Sequence, residues 1–515
     1  DIGVVVDDYL RGVIDYHNEA YWPAVEALQR HIEVDPPEAS ALAYDYLARS
    51  YLALELPDMA IAEWDRLILW FPDSDLGAEA WLSQAKALRQ YEQEPAAERL
   101  LQRFVEKNRT HAQAPQALAM VAQWAERRAD HAGATETYET LVEQYPWSDQ
   151  AAPAQFRAAL NRYRLGEYSL AAASWRTSLE WYGGYRPEST RFWTGKASLA
   201  AGDRGAAGEI WQSLLDMAPE GYYAGRAKSL AQASGLTLSS PLLGLNSERE
   251  DQAMAEGWLR SWMPAAEAVD LRALPPALLQ DRDYRRGLTL LGLDKWPESI
   301  RHLEGVRNRW LHDAQAMYAL ALHFRDLGAN GLSIRCAVRL LDLSPAPQRA
   351  ATPQFLQQLA YPTYFADLVE EEAHSLGFDP TLIYAVIRQE SLFDPQALSY
   401  AGARGLMQVM PATGEWVADR IGSADYPADR LDRAFVSVRF GVHYLAYALD
   451  FADGDLMMAL VGYNAGPGNA RYWRALSGDE DDLFVETITN PQPQEYVRGV
   501  LQQQSVYQRL YGTVE

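Results

Sequence analysis

A small residue followed by a large one recurs along the first half of the chain at an almost constant interval. Each pair is an alanine with a bulky apolar side chain four residues later: Ala24/Leu28, Ala60/Trp64, Ala97/Leu101, Ala134/Tyr138, Ala171/Trp175 and Ala207/Trp211. Successive alanines are 36, 37, 37, 37 and 36 residues apart. This period predicts a solenoid of helical hairpins, each burying its apolar face against its neighbours. The alanine lets two helices approach closely, and the large residue one turn later fills the space beside it.

Prolines close several of these units. They stand twelve residues after the alanine at Pro36, Pro72, Pro146 and Pro219, where each predicts the end of a helix. The unit 41–72 resembles the tetratricopeptide repeat, because five residues fall at that family's offsets: Leu47, Tyr51, Ala60, Trp64 and Pro72. Ala48 stands where that family has glycine, and the other units match in part. We therefore expect a degenerate tetratricopeptide-like α-superhelix over residues 1–233, a surface that could also bind protein partners.

Two breaks divide the rest of the chain. Residues 234–246 are rich in Ser, Gly and Leu, which is typical of a linker. A helical block without a catalytic constellation follows at 249–345 and is interpreted as a helical linker domain. Three prolines between 345 and 353 then precede a third domain at 354–515. Strand signals are scarce throughout, so the predicted fold class is mainly α.

Composition excludes several classes of partner. The net charge of −24 and the pI near 4.8 disfavour nucleic acid and anionic lipid, because no basic face is available. The chain opens at Asp1 and contains no run of 18 apolar residues, so we expect a mature or trimmed chain without a membrane span. The single Cys336 is expected to be a small buried residue. No His-Glu-x-x-His spacing occurs, and we expect neither a metal nor a cofactor.

A helix predicted near the start of the third domain carries a carboxylate on its apolar face. Asp379 followed by Pro380 predicts the helix start, because Asp caps free N–H groups and Pro suits the first turn. An apolar stripe at the spacing i, i+3 and i+4 follows at Ile383, Val386 and Ile387. Glu390 takes position i+7, and the helix should stop before Asp394–Pro395. Burial and the helix C-terminus both disfavour the charged form, so we expect Glu390 to be protonated near neutral pH.

These residues alone leave two interpretations of Glu390 open. A protonated carboxyl suits general-acid catalysis at a glycosidic oxygen. A buried ion pair with Arg388 or Arg404 is the structural alternative.

Three motifs follow one another around Glu390. The first is Arg-Gln-Glu-Ser-Leu-Phe-Asp-Pro at 388–395, followed by Ser399 and Gly402. The second is Gly-Leu-Met-Gln-Val-Met-Pro at 405–411, and the third is Gly-Tyr-Asn-Ala-Gly-Pro-Gly at 462–468. In this order and spacing they strongly resemble the lytic transglycosylase family with a goose-type lysozyme-like fold. The three-domain order resembles the soluble lytic transglycosylase subfamily. The resemblance implies a lysozyme-like α domain with a small β part, in an exported periplasmic enzyme.

The resemblance also implies roles for individual residues. Glu390 would be the single acid/base, and Ser391 would orient its surroundings. Tyr463 and Asn464 would lie below the carboxyl, where a phenol O–H can hold it. The side chains implied to line the saccharide groove are Ser399, Gln408 and Met410. The Gln408 amide is suited to sugar hydroxyls or an N-acetyl group.

One catalytic carboxylate is recognisable, whereas most glycosidases use two. Five other acids near the motifs are more typical of caps, turns or helix surfaces: Asp394, Glu415, Asp419, Asp453 and Asp455. In the resembled family the substrate supplies the missing group, since the C6 hydroxyl of MurNAc attacks its own anomeric carbon. The resemblance thus implies non-hydrolytic cleavage of the MurNAc–GlcNAc β-1,4 bond of peptidoglycan. The alternatives are a hydrolytic muramidase on the same fold and a non-catalytic glycan-binding scaffold.

Two positions depart from the family pattern. Tyr496 matches the closing motif and is implied to contact substrate, but Gln492 stands where the family commonly has a substrate-contacting Glu. The neighbouring Glu495 could take over that contact. Ser437 replaces the family's Asn upstream of Gly441, which we interpret as a change in packing.

Overall fold

A computed structural model of the chain describes residues 7–34, 39–182, 185–239, 252–263, 270–346, 348–423 and 430–512. The chain forms two compact units, Asp1–Ala207 and Gly208–Glu515. Residues 240–246 of the expected linker lie outside the described residues, as does Pro36. Among the helices of these ranges, none combines the length and the apolar composition that a membrane span requires.

The predicted repeats form helical hairpins. Their helices are α1 (Asp8–His17), α2 (Tyr21–Val34), α3 (Ala41–Ala53), α4 (Pro57–Trp70), α5 (Asp75–Gln90), α6 (Glu94–Lys107), α7 (Ala114–Arg127), α8 (His131–Gln144), α9 (Ala151–Arg164), α10 (Tyr168–Trp181), α11 (Pro187–Ala200) and α12 (Arg204–Met217). From α1 to α11 each helix packs against the next. All six alanines of the repeat and their large partners are buried, and each pair lies on an even-numbered helix. Pro72, Pro146 and Pro219 each stand two residues beyond a helix end, which confirms the helix ends that these prolines predict.

The second unit continues with helices alone in its described part. They are α13 (Tyr222–Ala233), α14 (Gln252–Trp262), α15 (Pro276–Leu279), α16 (Arg282–Gly292), α17 (Trp296–Arg309), α18 (Ala314–Asp326), α19 (Asn330–Leu343), α20 (Gln354–Ala360), α21 (Ala366–Ser375), α22 (Pro380–Ser391), α23 (Pro411–Arg420), α24 (Ala434–Phe451), α25 (Leu456–Ala465), α26 (Pro467–Ser477), α27 (Asp481–Thr487) and α28 (Pro491–Tyr511). A 3₁₀ turn, Arg349–Ala351, precedes α20.

Two hydrophobic cores organise this unit. One gathers buried residues of α14 to α20 around α18, and it contains the fully buried Cys336. The other gathers α21 to α28 around α22 and α25. α13 packs against α28, although it lies within the predicted first domain, 1–233. The domain boundaries at 233, 249, 345 and 354 stay predictions.

The small β part is minimal in the described residues. It consists of isolated bridges, Leu398 to Arg404 and Arg404 to Val409, which fold the segment after α22 into a compact loop. The mainly α fold class is thus confirmed.

Candidate active site

The helix that carries Glu390 forms as predicted. Asp379 caps α22 by accepting a hydrogen bond from the Thr381 N–H at 2.9 Å, and Pro380 occupies the first turn. The apolar stripe is buried in the second core. Glu390 lies in the last turn, one residue before the helix ends. The sequence therefore placed this carboxyl correctly on a buried face near a helix C-terminus.

The chain leaves α22 through an unusual backbone conformation. Leu392 and Phe393 both have positive φ values, 50° and 60°. The Leu392 N–H closes the helix by donating to the Arg388 carbonyl at 3.2 Å. Phe393 is fully buried between the rings of Tyr364 and Tyr384. This turn could not be anticipated from the sequence, because non-glycine residues rarely adopt left-handed conformations.

Burial dominates the electrostatics of Glu390. The residue keeps partial access to solvent, but desolvation of its carboxyl raises the pKa to about 7, against a smaller opposing effect of Tyr496. No charged side chain contributes to this pKa shift among the described residues. Arg388 is engaged elsewhere, since it donates to the Ala360 carbonyl and to Gln503, both at 3.0 Å. An Arg388 ion pair is therefore not what holds Glu390.

Two tyrosines from other helices face the Glu390 carboxyl. Tyr463 on α25 donates its hydroxyl to the Met407 carbonyl at 2.7 Å. Tyr496 on α28 is 4% exposed, and its hydroxyl has no partner at standard hydrogen-bond geometry among the described residues. Burial, followed by the charge of Glu390, raises the pKa of both phenols. Tyr496 is thus the phenol that acts on the carboxyl, whereas the hydroxyl of Tyr463 anchors the neighbouring loop.

The loop at 405–408 is fixed from both sides. Ser391 donates to the Leu406 carbonyl at 2.8 Å, and Ser437 accepts from the Met407 N–H at 3.1 Å. Gly405 has φ +76°, and a Cβ there would lie 1.9 Å from the Leu431 carbonyl oxygen. Ser391 therefore links the end of α22 to this loop, and its supporting role at the site stays a prediction.

Hydrogen bonds within the loop determine which atoms of the predicted groove residues can contact a glycan. The Gln408 amide nitrogen donates to the carbonyls of Ala397 and Gly405 at 3.0 and 2.9 Å. Its amide oxygen is the atom left to meet a ligand. The Ser399 hydroxyl accepts from the Ala403 N–H at 2.9 Å, and Met410, just before α23, is 41% exposed.

The third motif forms the junction between α25 and α26. Gly466, with φ +87°, separates the two helices, and Pro467 occupies the first position of α26. Asn464 is half-buried in the last turn of α25. An exposed aromatic, Tyr400, lies on the loop beside Ser399 and was not singled out by sequence.

The residues of the closing motif on α28 lie on two faces of this helix, one exposed and one buried. Gln492 and Glu495 are exposed in the first turns of this helix, and Tyr496 points into the core. Glu486, just upstream on α27, is buried and accepts from Tyr223 at 2.5 Å and from Arg498 at 2.7 Å.

A second contact of the same kind lies beside it. Arg226 of α13 pairs with the buried Asp482 of α27 at 2.8 Å. These buried contacts between α13 and the last two helices were not anticipated from the sequence.

Two of the other acids near the motifs have structural partners. Asp394 accepts from the Trp296 indole N–H at 3.1 Å and from the Gln396 N–H at 2.9 Å. Asp455 caps α25 through the Met458 N–H and pairs with Arg474. Glu415 and Asp419 lie on α23, and Asp453 lies in the turn before α25. Throughout the described ranges, no three His, Cys, Asp or Glu side chains are grouped to hold a metal ion.

Comparison with known proteins matches this part of the chain to one family. Residues 367–483 match the Transglycosylase SLT domain. The soluble lytic murein transglycosylase of Salmonella typhimurium is 31% identical over 159 residues, and that of Escherichia coli K12 is 30% identical over 156. Each alignment covers 30% of this chain and 24% of the relative. The aligned part thus spans about a quarter of these relatives' length.

Solved structures resemble the whole chain. A lytic transglycosylase Slt from Pseudomonas aeruginosa, an inactive glutamate-to-glutamine mutant, has a TM-score of 0.52 and 16% identity. The structural alignment covers 99% of this chain and 90% of the Pseudomonas protein. The 70 kDa soluble lytic transglycosylase of Escherichia coli has a TM-score of 0.51 at 16% identity, over 98% of this chain and 96% of its own. At this identity the likeness establishes the fold. The chain therefore carries a transglycosylase SLT domain homologous to the soluble lytic murein transglycosylases, on a fold shared with solved members of that group.

Proposed function

We propose that this protein is a peptidoglycan lytic transglycosylase that cleaves the MurNAc–GlcNAc β-1,4 bond and leaves 1,6-anhydroMurNAc ends. One observation supports this most directly. The carboxyl of Glu390, inside the matched domain, has its pKa raised to about 7 by burial and has no charged neighbour that acts on it among the described residues. Such a group can be protonated when substrate binds and ionised afterwards.

In the first step Glu390 donates its proton to the glycosidic oxygen. The bond from the MurNAc anomeric carbon to that oxygen breaks, and the GlcNAc side leaves with a new hydroxyl. The N-acetyl group of MurNAc can assist this departure. Glu390 is now a carboxylate in a desolvated setting, where a buried phenol O–H is well suited to stabilise it. Tyr496 faces the carboxyl and is proposed to donate at this stage.

In the second step the carboxylate of Glu390 removes the proton of the MurNAc C6 hydroxyl. The C6 oxygen attacks the anomeric carbon and closes the 1,6-anhydro ring, so no water enters the product. Glu390 ends the cycle protonated. One carboxyl is then sufficient, which agrees with the structural partners of Asp394 and Asp455. A hydrolytic enzyme would ordinarily need a second group to activate water.

The glycan is proposed to lie over the loop at 399–410 and the start of α28. The exposed side of Met410 offers an apolar surface, and the amide oxygen of Gln408 can accept from sugar N–H or O–H groups. Asn464, Gln492 and Tyr496 are proposed contacts, with Ser391 in support. Tyr463 acts on the same site through the Met407 carbonyl.

Digestion of purified murein tests the proposal. The wild type should release fragments with anhydro ends by mass spectrometry, and Glu390→Gln should release almost none. The inactive glutamate-to-glutamine mutant of the Pseudomonas protein agrees with this expectation. Reducing ends from the wild type would identify a hydrolytic muramidase instead. Undiminished clearing by Glu390→Gln would remove this residue from the chemistry.

Asp419→Asn is the matched control, because this exposed carboxylate lies on the surface of α23, away from the proposed glycan contacts. It should retain anhydro-product formation.

We further propose that the protein acts in the periplasm, where its substrate lies, and that the repeats position the catalytic part or bind proteins. The named relatives are bacterial murein enzymes, which supports the substrate class. Cell fractionation with an antibody against the protein tests the location.

A further inference from the structure

The two residues that follow the last turn of the Glu390 helix adopt a conformation that a free chain avoids. Leu392 and Phe393 are consecutive non-glycine residues with positive φ. Such residues persist where surrounding contacts over-determine them. The Leu392 turn also ends α22, since its N–H donates back to Arg388. Relaxation to right-handed values would let the helix continue past Ser391.

Two side chains of the preceding helical core hold this turn from outside. Asn330, the first residue of α19, donates its amide N–H to the buried Phe393 carbonyl at 3.1 Å. Trp296, the first residue of α17, donates its indole N–H to Asp394 at 3.1 Å. Together we name Trp296 and Asn330 the support pair. Each bond reaches a backbone or side-chain group within four residues of Glu390.

Close packing adds to these hydrogen bonds. At Gly331 on α19 an added Cβ would lie 3.6 Å from the Leu392 Cβ, so the helix backbone approaches the turn closely. On the opposite side Ser391 is tied to Leu406, and Phe393 is enclosed by aromatic rings. The turn is therefore held between the core formed by α14–α20 and the core formed by α21–α28.

We propose that Trp296 and Asn330 are positioning residues that set the direction of the Glu390 carboxyl by holding the turn after α22. This inference rests on the proposed function, because it assumes that Glu390 is the acid. A small displacement of an acid relative to its substrate reduces turnover strongly while leaving binding almost intact. The helical core thus takes part in catalysis through the turn, without touching the glycan.

Two substitutions test the support pair. Trp296→Phe keeps an aromatic ring, although a smaller one, and removes the indole N–H. Asn330→Ala removes the donor to Phe393. Trp262→Phe is the matched control, because the Trp262 N–H is buried in the same core and has no hydrogen-bond partner in the part of the chain that the structure describes. Each variant is assayed with soluble glycan strands for kcat and KM, and its folding is checked by circular dichroism and thermal unfolding.

We expect kcat to fall about tenfold or more in Trp296→Phe and Asn330→Ala, with KM changed less than about twofold. The loss of kcat at high pH should also begin at lower pH, because a loosened helix end admits water to Glu390. The titratable groups that face Glu390 are Tyr463 from α25 and Tyr496 from α28, and both are unchanged in these variants. Trp262→Phe should match the wild type.

Wild-type kcat and an unchanged pH profile in both folded variants would overturn the inference. So would a loss of activity that follows KM or the unfolded fraction alone. Glu390→Gln in the same assay separates this failure from that of the proposed function. If Glu390→Gln is inactive while the support-pair variants are normal, the positioning role is wrong and the proposed acid stands.

Discussion

Replacing Glu390 by Gln should stabilise the protein at alkaline pH and leave it unchanged in acid. The pKa of this carboxyl is raised from 4.5 to about 7 by burial. Below about pH 4.5 the group is protonated in both the folded and the unfolded chain. As the pH rises from 4.5 to 7 the unfolded chain releases this proton and the folded chain keeps it, so stability falls. Above about pH 7 the loss is complete.

The expected size follows from the two pKa values. A difference of about 2.5 pKa units at about 1.4 kcal/mol each corresponds to about 3 kcal/mol of stability lost by the wild type above pH 7. Glutamine has nearly the shape of the protonated carboxyl and does not ionise. The Glu390→Gln variant should therefore exceed the wild type by about 3 kcal/mol at pH 8 and by almost nothing at pH 4.

Scanning calorimetry of both proteins at pH 4 and pH 8 measures this difference. The chain has two compact units, so the transition that responds to the substitution is compared rather than a single global midpoint. An advantage of about 3 kcal/mol corresponds to an increase of roughly 5 °C in that midpoint. Glu495→Gln removes an exposed carboxylate nearby and serves as the control.

A midpoint difference that is equal at pH 4 and pH 8 would refute the reasoning, because it would not come from ionisation. A Glu390→Gln variant less stable than the wild type at pH 8 would show that the folded state favours the carboxylate.

Three other substitutions give defined outcomes. Tyr496→Phe removes the phenol that lowers the Glu390 pKa, so the alkaline limit of kcat should move to higher pH by about one unit. A pH–rate profile without this movement would contradict the role of Tyr496. Gly441→Ala places a Cβ 2.5 Å from Met407, so thermal unfolding should show a free energy of unfolding lower by about 1–3 kcal/mol. A variant as stable as the wild type would contradict this close packing. Gln492→Glu restores the acid typical of the family at an exposed position. Assays with glycan strands should show a lower KM and an unchanged kcat. A raised KM would argue against a glycan contact at this position.

The parts of the fold that follow a local period could be predicted from sequence. The alanine pairs and their closing prolines gave the hairpins, because each hairpin is defined within one short stretch of chain. Glu390 could be placed for the same reason. Its cap at Asp379, its apolar stripe and its helix end all lie within sixteen residues.

Contacts between distant segments could not be predicted. Trp296 and Asn330 reach the turn after α22 from 98 and 63 residues upstream. The left-handed turn itself has no glycine to reveal it. Gln408 was expected to present its amide to sugar, but its N–H groups are used by loop carbonyls that only the folded backbone brings near.

The contacts of α13 with the last helices bear on how the catalytic part can be isolated. A fragment begun at residue 354 would remove Tyr223 and Arg226, the partners of the buried Glu486 and Asp482. Breaking a buried ion pair such as that of Arg226 with Asp482 costs about 3–5 kcal/mol, whereas Glu486 would keep Arg498 but lose the Tyr223 hydrogen bond. A transplantable catalytic module must therefore be assembled from two pieces of chain, with α13 grafted beside the terminal helices.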